Sequence, residues 1–213
     1  PLLDKNFIEN IQINQFLDKK NIISIFPGSR DSEIRNHMPI LINFVKKMNL
    51  KDHNYNFIFH ATDKNKELIS SYFIKEQITN LEIINDDKIK TAVLKKSIFA
   101  IVKSGTISLE VCKMNVPSII IYKMNFINFY LAKFLLNIKF ANMINIINDR
   151  EVIPELIQSE CNADEIFKSV SYFLKKPDLI AKQKEEIKTT LETLTSPSSS
   201  AEEASKIILS YIS

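Results

Sequence analysis

The sequence predicts an α/β fold, a doubly wound, Rossmann-like parallel sheet followed by C-terminal helices. Short apolar runs rich in β-branched residues recur along the chain, and helical patterns separate them. Strand and helix alternate five times within about 100 residues, which is typical of this fold class. With 213 residues, the chain is long enough for one substantial core.

Five segments predict buried strands. The first, NIISIF at 21–26, is apolar and is stopped by Pro27 and Gly28. The other four have the same character: YNFIFHA (55–61), LEIIND (81–86), SIFAIV (97–102) and PSIIIYK (117–123). Because these runs are continuous rather than alternating, they indicate a parallel sheet covered on both faces.

Helical patterns lie between the strands. In 38–48, Pro39 suits a first helical turn and is followed by an apolar stripe. Three further helices are predicted between strands, at 64–76, 87–96 and 107–114. After the fifth strand, helices are predicted at 126–138, 163–175, 178–194 and 201–213.

The composition of the segments predicts four parts. Residues 1–20 are interpreted as an N-terminal linker segment and 21–194 as the Rossmann-like domain. TSPSSS at 195–200 is a short linker, and 201–213 is a small amphipathic helix that closes the chain.

Composition and charge argue against several functional classes. A net charge of +3 is too mild for a nucleic-acid binder, which needs a strongly basic face. The sequence contains no run of 18 apolar residues, the length needed to span a bilayer, and no signal peptide is recognised. The cysteines and histidines lack disulfide or metal-site spacing, so we interpret all five as structural and expect no metal and a reducing, cytoplasmic compartment. They are Cys112, Cys161, His37, His53 and His60.

The chain has only two glycines, and each follows a predicted strand where doubly wound sheets bind ligands. Gly28 and Gly105 also precede helical regions, whose first N–H groups attract anions. Hydroxyl and guanidinium donors lie beside them, in Ser29, Arg30, Ser104 and Thr106. Together they predict a phosphate-bearing ligand, and two tight turns are the simpler alternative. Neither a dinucleotide fingerprint nor a Walker loop is present.

Glu110 lies one turn after Thr106, on the same face of the predicted helix. A phosphate at the helix start would leave an attached ribose near this carboxylate, which can accept hydrogen bonds from both hydroxyls. The alternative role is stabilisation of the helix dipole. A capping box would need the glutamate at the position of Leu109, so the ribose role is favoured.

Four segments resemble, in order, the successive motifs of the lipid-A-disaccharide synthase family. They are PGSRDSEI (27–34), SGTISLE (104–110), VPSIIIYKM (116–124) and NIINDREVIPELIQ (145–158). The resemblance implies one half of a two-domain, metal-independent glycosyltransferase of the B type, with no cofactor. Such a hexosyltransferase joins UDP-2,3-diacylglucosamine to 2,3-diacylglucosamine 1-phosphate in the lipid A biosynthesis of Gram-negative bacteria.

The resemblance also implies roles for individual residues. The turn from Ser104 to Thr106 would face the diphosphate, Glu110 would hold the ribose, and Arg30 would neutralise the departing UDP. Three more residues would lie at the cleft, with plain loop polar groups as the alternative: Asn145, Arg150 and Glu151.

The same resemblance implies that the chain is the C-terminal half, which holds the UDP-diacylglucosamine donor. The chain begins at Pro1 without an initiator methionine, so it is either processed or a piece of something longer. The N-terminal domain of the family, with the acceptor site and the catalytic base, is not recognised. We therefore expect no activity from this chain by itself, and the catalytic base is unknown.

Two other functions remain open at this point. One is another UDP-sugar enzyme of the same architecture, such as a UDP-N-acetylglucosamine 2-epimerase or a peptidoglycan-precursor glycosyltransferase, although the PGSR and REVIPELIQ segments argue against it. The other is a non-catalytic nucleotide-binding remnant, which an N-terminal half encoded just upstream would disfavour.

The acylated substrates implied by the resemblance place the complete enzyme at a membrane surface. In 123–140, five aromatic residues alternate with Lys123, Lys133 and Lys139. They predict either peripheral binding to the inner face of the inner membrane or a helix packed on the sheet or on the missing domain. A homodimer formed through the C-terminal helices is a further open alternative.

Overall fold

The computed structural model describes residues 16, 18–76, 78, 80–124 and 139–194. Within them, six strands form one sheet in the order β3-β2-β1-β4-β5-β6, and every neighbouring pair is parallel. The strands are β1 (Ile22–Phe26), β2 (Asn56–His60), β3 (Leu81–Ile84), β4 (Ser97–Lys103), β5 (Ser118–Tyr122) and β6 (Glu155–Ile157). The order reverses between β1 and β4, so the predicted doubly wound fold is confirmed.

Helices cover both faces of this sheet, as the continuous apolar strands predicted. In β1, Ile23 and Ile25 belong to a core with the helices Asp31–Lys51 and Ala163–Leu174, whereas Ile22 and Phe26 belong to cores on the opposite face. The helices are α1 (Asp31–Lys51), α2 (Lys66–Glu76), α3 (Asp87–Lys96), α4 (Thr106–Lys113), α5 (Met143–Asn148), α6 (Ala163–Leu174) and α7 (Pro177–Leu194). Successive strand residues point to opposite faces, which produces this division.

Helix α1 begins seven residues earlier than the sequence predicted, and Pro39 lies in its interior rather than in its first turn. Asp31 and Glu33 are favourable in the first turn, because the positive end of the helix dipole attracts carboxylates. An interior proline removes one helical hydrogen bond. Apolar side chains of α1 buried against the sheet, such as Leu41 and Phe44, offset that cost.

Strand β6 and helix α5 were not predicted. Helix α5 overlaps the start of the segment 145–158 and β6 lies inside it, and the sequence singled out this segment only for its resemblance to a family motif. Strand β6 has only three residues and carries the buried Glu155, so it lacks the apolar run by which the other strands were recognised.

Several predictions lie outside the described residues. They are the helices at 126–138 and 201–213, the linker at 195–200, and most of the segment 1–20. The division into four parts therefore stays a prediction. Among the helices that are described, none combines the length and the apolar character needed to cross a membrane.

Candidate functional site

A cavity of about 490 Å³ opens at the carboxyl edge of the sheet, where the loops after β1, β2 and β4 meet. The order of the strands reverses at this point, and ligands of doubly wound folds bind there. Six residues singled out in the sequence line it: Gly28, Ser29, Arg30, Ser104, Gly105 and Thr106. The structure therefore brings both glycine loops to one site.

The loop after β4 leads directly into helix α4. Gly105 has φ +152° and caps the helix without a side chain, and the first turn contains no acidic residue. The first N–H groups of α4 are thus not capped by a side chain and can meet a ligand anion. The hydroxyl of Ser104, expected to be a ligand donor, donates instead to the Ala141 carbonyl over 2.8 Å.

The loop after β1 differs, because the side chain of Glu33 already serves the start of α1. Its Oε2 accepts the N–H groups of Ser29 (3.1 Å) and Arg30 (3.4 Å). A Cβ on Gly28, whose φ is +126°, would lie 2.7 Å from the same oxygen. The sequence indicated that the starts of both helices face an external anion, but at α1 an internal carboxylate fills that place. The glycine is needed to admit it.

Arg30 remains open to a ligand. Its side chain is 82% exposed, and its guanidinium lies 3.9 Å from Glu33, at the outer limit of an ion pair. Since it also lines the cavity, its positive charge can approach a phosphate without breaking a tight contact.

Lys103 was not singled out in the sequence, and it lies between the two loops. Its Nζ is 2.9 Å from Glu33 Oε1, and both side chains are mostly buried. Burial alone would raise the pKa of Glu33, but the hydrogen bonds from Lys103 and from the Ser29 N–H hold it below its usual value. Glu33 is the third residue after the N-cap Arg30, the position from which a glutamate reaches back to the N-cap N–H, and this position could have revealed Glu33.

His60 forms part of the cavity wall at the end of β2. The Ser97 hydroxyl donates to the Val93 carbonyl, so it accepts the Ser24 hydroxyl at 2.8 Å. Ser24 must then accept from His60 Nε2 at 2.9 Å, which fixes the tautomer of the ring. Nδ1 is left as a buried acceptor with no hydrogen-bond partner among the described residues.

The environment of His60 keeps the ring neutral. It stacks on Phe26 with ring centroids 4.0 Å apart, and burial together with the charge of Lys90 lowers its pKa to about 3. The histidine is buried as the sequence indicated, but it also faces the cavity, which the sequence did not show.

His37 connects the first glycine loop to the end of β5. The Lys123 N–H donates to its Nε2 over 3.0 Å, so Nδ1 carries the proton and donates to the Pro27 carbonyl over 2.7 Å. Burial lowers the pKa of this fully buried ring. His37 thereby fixes the position of the loop that carries Arg30.

Glu110 is held by a lysine of helix α3. Lys90 Nζ lies 3.1 Å from the carboxylate of Glu110 and 2.8 Å from that of Asp87. Lys90 and Asp87 line the cavity, whereas Glu110 stands behind Lys90 and is not among the lining residues of the described part. Burial alone would lower the pKa of Lys90, but the hydrogen bonds that its ammonium donates to both carboxylates raise this pKa, so Lys90 stays charged.

The three residues expected at the cleft from the segment 145–158 do not line the cavity in the described part of the chain. Asn145 is fully buried, Arg150 pairs with Glu186 at 3.1 Å, and Glu151 accepts the N–H of Glu155. Each of the three residues therefore has a structural role in these contacts. Their role in ligand binding stays a prediction.

The amide of Asn145 holds the segment that leads into β6. Its oxygen accepts the N–H groups of Val152 (2.8 Å) and Ile153 (2.9 Å). Its nitrogen donates to the Ile153 carbonyl and to the Glu155 carboxylate, both at 2.7 Å. One side chain therefore satisfies four buried polar groups.

The described residues include side chains of the metal-ligating types and two free thiols. They contain no group of three histidine, cysteine or acidic side chains that could hold a metal ion. Cys112 and Cys161 are buried free thiols, and burial raises their pKa values to about 12 and about 11. Both therefore stay protonated at neutral pH, and a protonated thiol is a poor nucleophile.

Comparison with known proteins gives a consistent result. The model of a family described as lipid-A-disaccharide synthetase matches residues 1–208. The chain is 32% identical over 176 residues to lipid-A-disaccharide synthase 1 of Legionella pneumophila, covering 82% of this chain and 45% of that protein. It spans about half the length of the curated relatives it matches.

Two solved structures share the fold at low sequence identity. A UDP-GlcNAc 2-epimerase from Neisseria meningitidis bound to UDP-GlcNAc superimposes with a TM-score of 0.54 at 14% identity, over 89% of this chain and 48% of that chain. The E. coli ADP-heptose LPS heptosyltransferase II gives 0.56 at 8% identity, over 82% and 51%. These likenesses confirm the predicted doubly wound α/β fold.

Proposed function

This chain belongs to the lipid-A-disaccharide synthetase family, and on that premise we propose that it is the half that binds the UDP-sugar donor. The proposal rests on the cavity at the edge of the sheet where the strand order reverses. The first turn of α4, which no side chain caps, lines this cavity. Membership of the family favours this function over the UDP-sugar epimerases, which share the fold at only 14% identity.

In the proposed complex the diphosphate of the donor lies against the turn from Ser104 to Thr106. The N–H groups at the start of α4 and the guanidinium of Arg30 supply positive potential there. When the bond to the sugar breaks, negative charge grows on the departing UDP. The backbone N–H donors are fixed in place before the reaction, and together with the guanidinium they stabilise that charge without a metal ion.

The ribose is proposed to reach Glu110, whose carboxylate can accept hydrogen bonds from both hydroxyls. In the free protein Lys90 holds that carboxylate at 3.1 Å. Because Lys90 is also paired with Asp87, it can turn toward Asp87 when the ribose arrives and remain neutralised.

We propose that the whole enzyme is a hexosyltransferase that joins UDP-2,3-diacylglucosamine to 2,3-diacylglucosamine 1-phosphate. The acceptor site and the base are assigned to the part of the relatives that this chain does not span, so the chain alone is proposed to be inactive. We also propose that the enzyme binds the inner face of the inner membrane peripherally through residues 123–140, and that it can form a homodimer.

The direct test is titration calorimetry of the chain with UDP in the presence of EDTA. We expect binding, since the phosphate site consists of N–H groups and basic side chains. Adding magnesium should leave the dissociation constant unchanged within about twofold. Binding that occurs only after magnesium or manganese is added would contradict the proposed site.

Replacing Glu110 with alanine is expected to weaken UDP binding about 10- to 150-fold. A hydrogen bond to a charged group is worth roughly 1.5–3 kcal/mol, which corresponds to that range. The fold should persist, because Lys90 keeps Asp87 as its partner. Circular dichroism and UDP titration together measure both effects.

Glu185→Ala is the matched control, because Glu185 is an exposed glutamate on α7. It should bind UDP like the parent. Equal UDP affinity in Glu110→Ala and Glu185→Ala would assign Glu110 a purely structural role with Lys90.

A further inference from the structure

Lys103 is the last residue of β4 and directly precedes the turn that begins α4. Its Nζ lies 3.7 Å from the point where a Cβ on Gly105 would stand. The side chain is only 17% exposed, yet it lines the cavity. An ammonium group that has lost much of its water therefore sits beside the turn assigned to the diphosphate.

The ion pair with Glu33 does not use all of this ammonium. A lysine has three N–H donors, and Glu33 Oε1 lies within reach of one of them at 2.9 Å. The other carboxylate oxygen of Glu33 is served by the N–H groups of Ser29 and Arg30. Glu33 would thus keep two hydrogen-bond donors if Lys103 turned partly toward another anion.

We infer that Lys103 is a phosphate-binding residue of the donor site. It is paired with Glu33 in the free protein and turns partly toward the diphosphate when a nucleotide binds. The inference rests on the proposed function and deepens it. A diphosphate carries more than one negative charge, so it attracts the ammonium more strongly than the single charge of Glu33 does.

A second observation also indicates a ligand in this cavity. His60 Nδ1 is a buried acceptor without a hydrogen-bond partner among the described residues, and the residue is 5% exposed and lines the same cavity as the phosphate turn. Native proteins leave few buried polar atoms unpaired, and such atoms often mark functional sites.

The inference predicts opposite effects for the two members of the ion pair. If Lys103 binds phosphate, removing its charge weakens UDP binding, whereas neutralising Glu33 removes a competitor and leaves binding equal or tighter. If the pair only connects the two loops, either change removes the attraction between opposite charges across the same 2.9 Å contact. Both variants would then weaken binding.

The experiment compares the parent, Lys103→Met and Glu33→Gln in titrations with UDP and with uridine. Methionine keeps the apolar stem of the lysine without its charge. We expect Lys103→Met to bind UDP about 10- to 100-fold more weakly and Glu33→Gln to bind it at least as tightly as the parent. Uridine has no phosphate, so its affinity should be the same in all three proteins.

Each contrary result has a distinct meaning. A parent that binds neither UDP nor uridine overturns the proposed function itself, and this inference with it. A parent that binds UDP, with Lys103→Met equal to it or with both variants weakened alike, overturns the inference alone. So does an equal loss of uridine binding in Lys103→Met.

Two further variants keep the test open if Lys103→Met does not fold. Lys103→Gln removes the charge and keeps a polar end, and it should lose UDP affinity in the same way. Lys103→Arg keeps the charge and should retain most of the affinity. Loss of UDP binding in a folded Lys103→Arg equal to that in Lys103→Gln would contradict a role for the charge.

Discussion

Replacing Asn145 with alanine is expected to lower the free energy of unfolding by about 3–5 kcal/mol. The change leaves the N–H groups of Val152 and Ile153 without their acceptor in a fully buried site. Each buried group left unpaired costs about 1–3 kcal/mol, and Glu155 loses one donor as well. Urea denaturation followed by circular dichroism measures the loss.

Arg150→Ala is the control for this experiment, because Arg150 lies in the same motif but is largely exposed. Its ion pair with Glu186 is worth at most about 1 kcal/mol. If Asn145→Ala were as stable as the parent and weakened UDP binding instead, Asn145 would be a ligand-binding residue, as the family resemblance implies.

The second large effect is a loss of stability in mild acid that depends on His60. Its pKa is about 3 in the folded protein and near 6.5 when unfolded, so between these values the unfolded chain binds a proton that the folded chain excludes. Stability is complete above pH 6.5 and falls by about 1.4 kcal/mol for each pH unit below it. His37, whose pKa burial also lowers, acts in the same direction.

Urea denaturation at pH 7, 6 and 5 measures this slope, and His60→Gln is the matched variant. The lowered pKa of Glu33 affects stability only below about pH 4.5, outside this window. In His60→Gln, the free energy of unfolding should fall less steeply with decreasing pH, by about 1.4 kcal/mol per pH unit, which corresponds to one proton. The contribution of His37 should remain. Identical slopes in parent and variant would show that His60 is not the group that titrates.

Much of the fold could be predicted because its signals are local. The five predicted strands are continuous apolar runs, and their burial on both faces follows from that composition. Strand β6 escaped prediction because Glu155 is buried by partners elsewhere in the chain. The N–H groups of Ala141 and Asn142 and the amide of Asn145 donate to its carboxylate.

The same contrast holds at the candidate site. Gly28 and Gly105 stand out in a sequence that avoids glycine, and their positions after strands place them at the cavity. The pair of Lys103 and Glu33 joins residues that are distant in sequence. Nothing local in the sequence shows that the two meet.

The central position of β1 has a consequence for the order of events during synthesis. This strand pairs with β2 on one side and with β4 on the other, and β4 begins at Ser97. At a rate of roughly 5–20 residues per second, β4 follows β1 out of the ribosome by about 4–14 s. For that interval one edge of a strand that is fully buried in the folded protein lacks its native neighbour. Contacts between segments so far apart in sequence form slowly. During synthesis, β1 is therefore an open sheet edge until β4 emerges, although it is a central strand of the finished sheet.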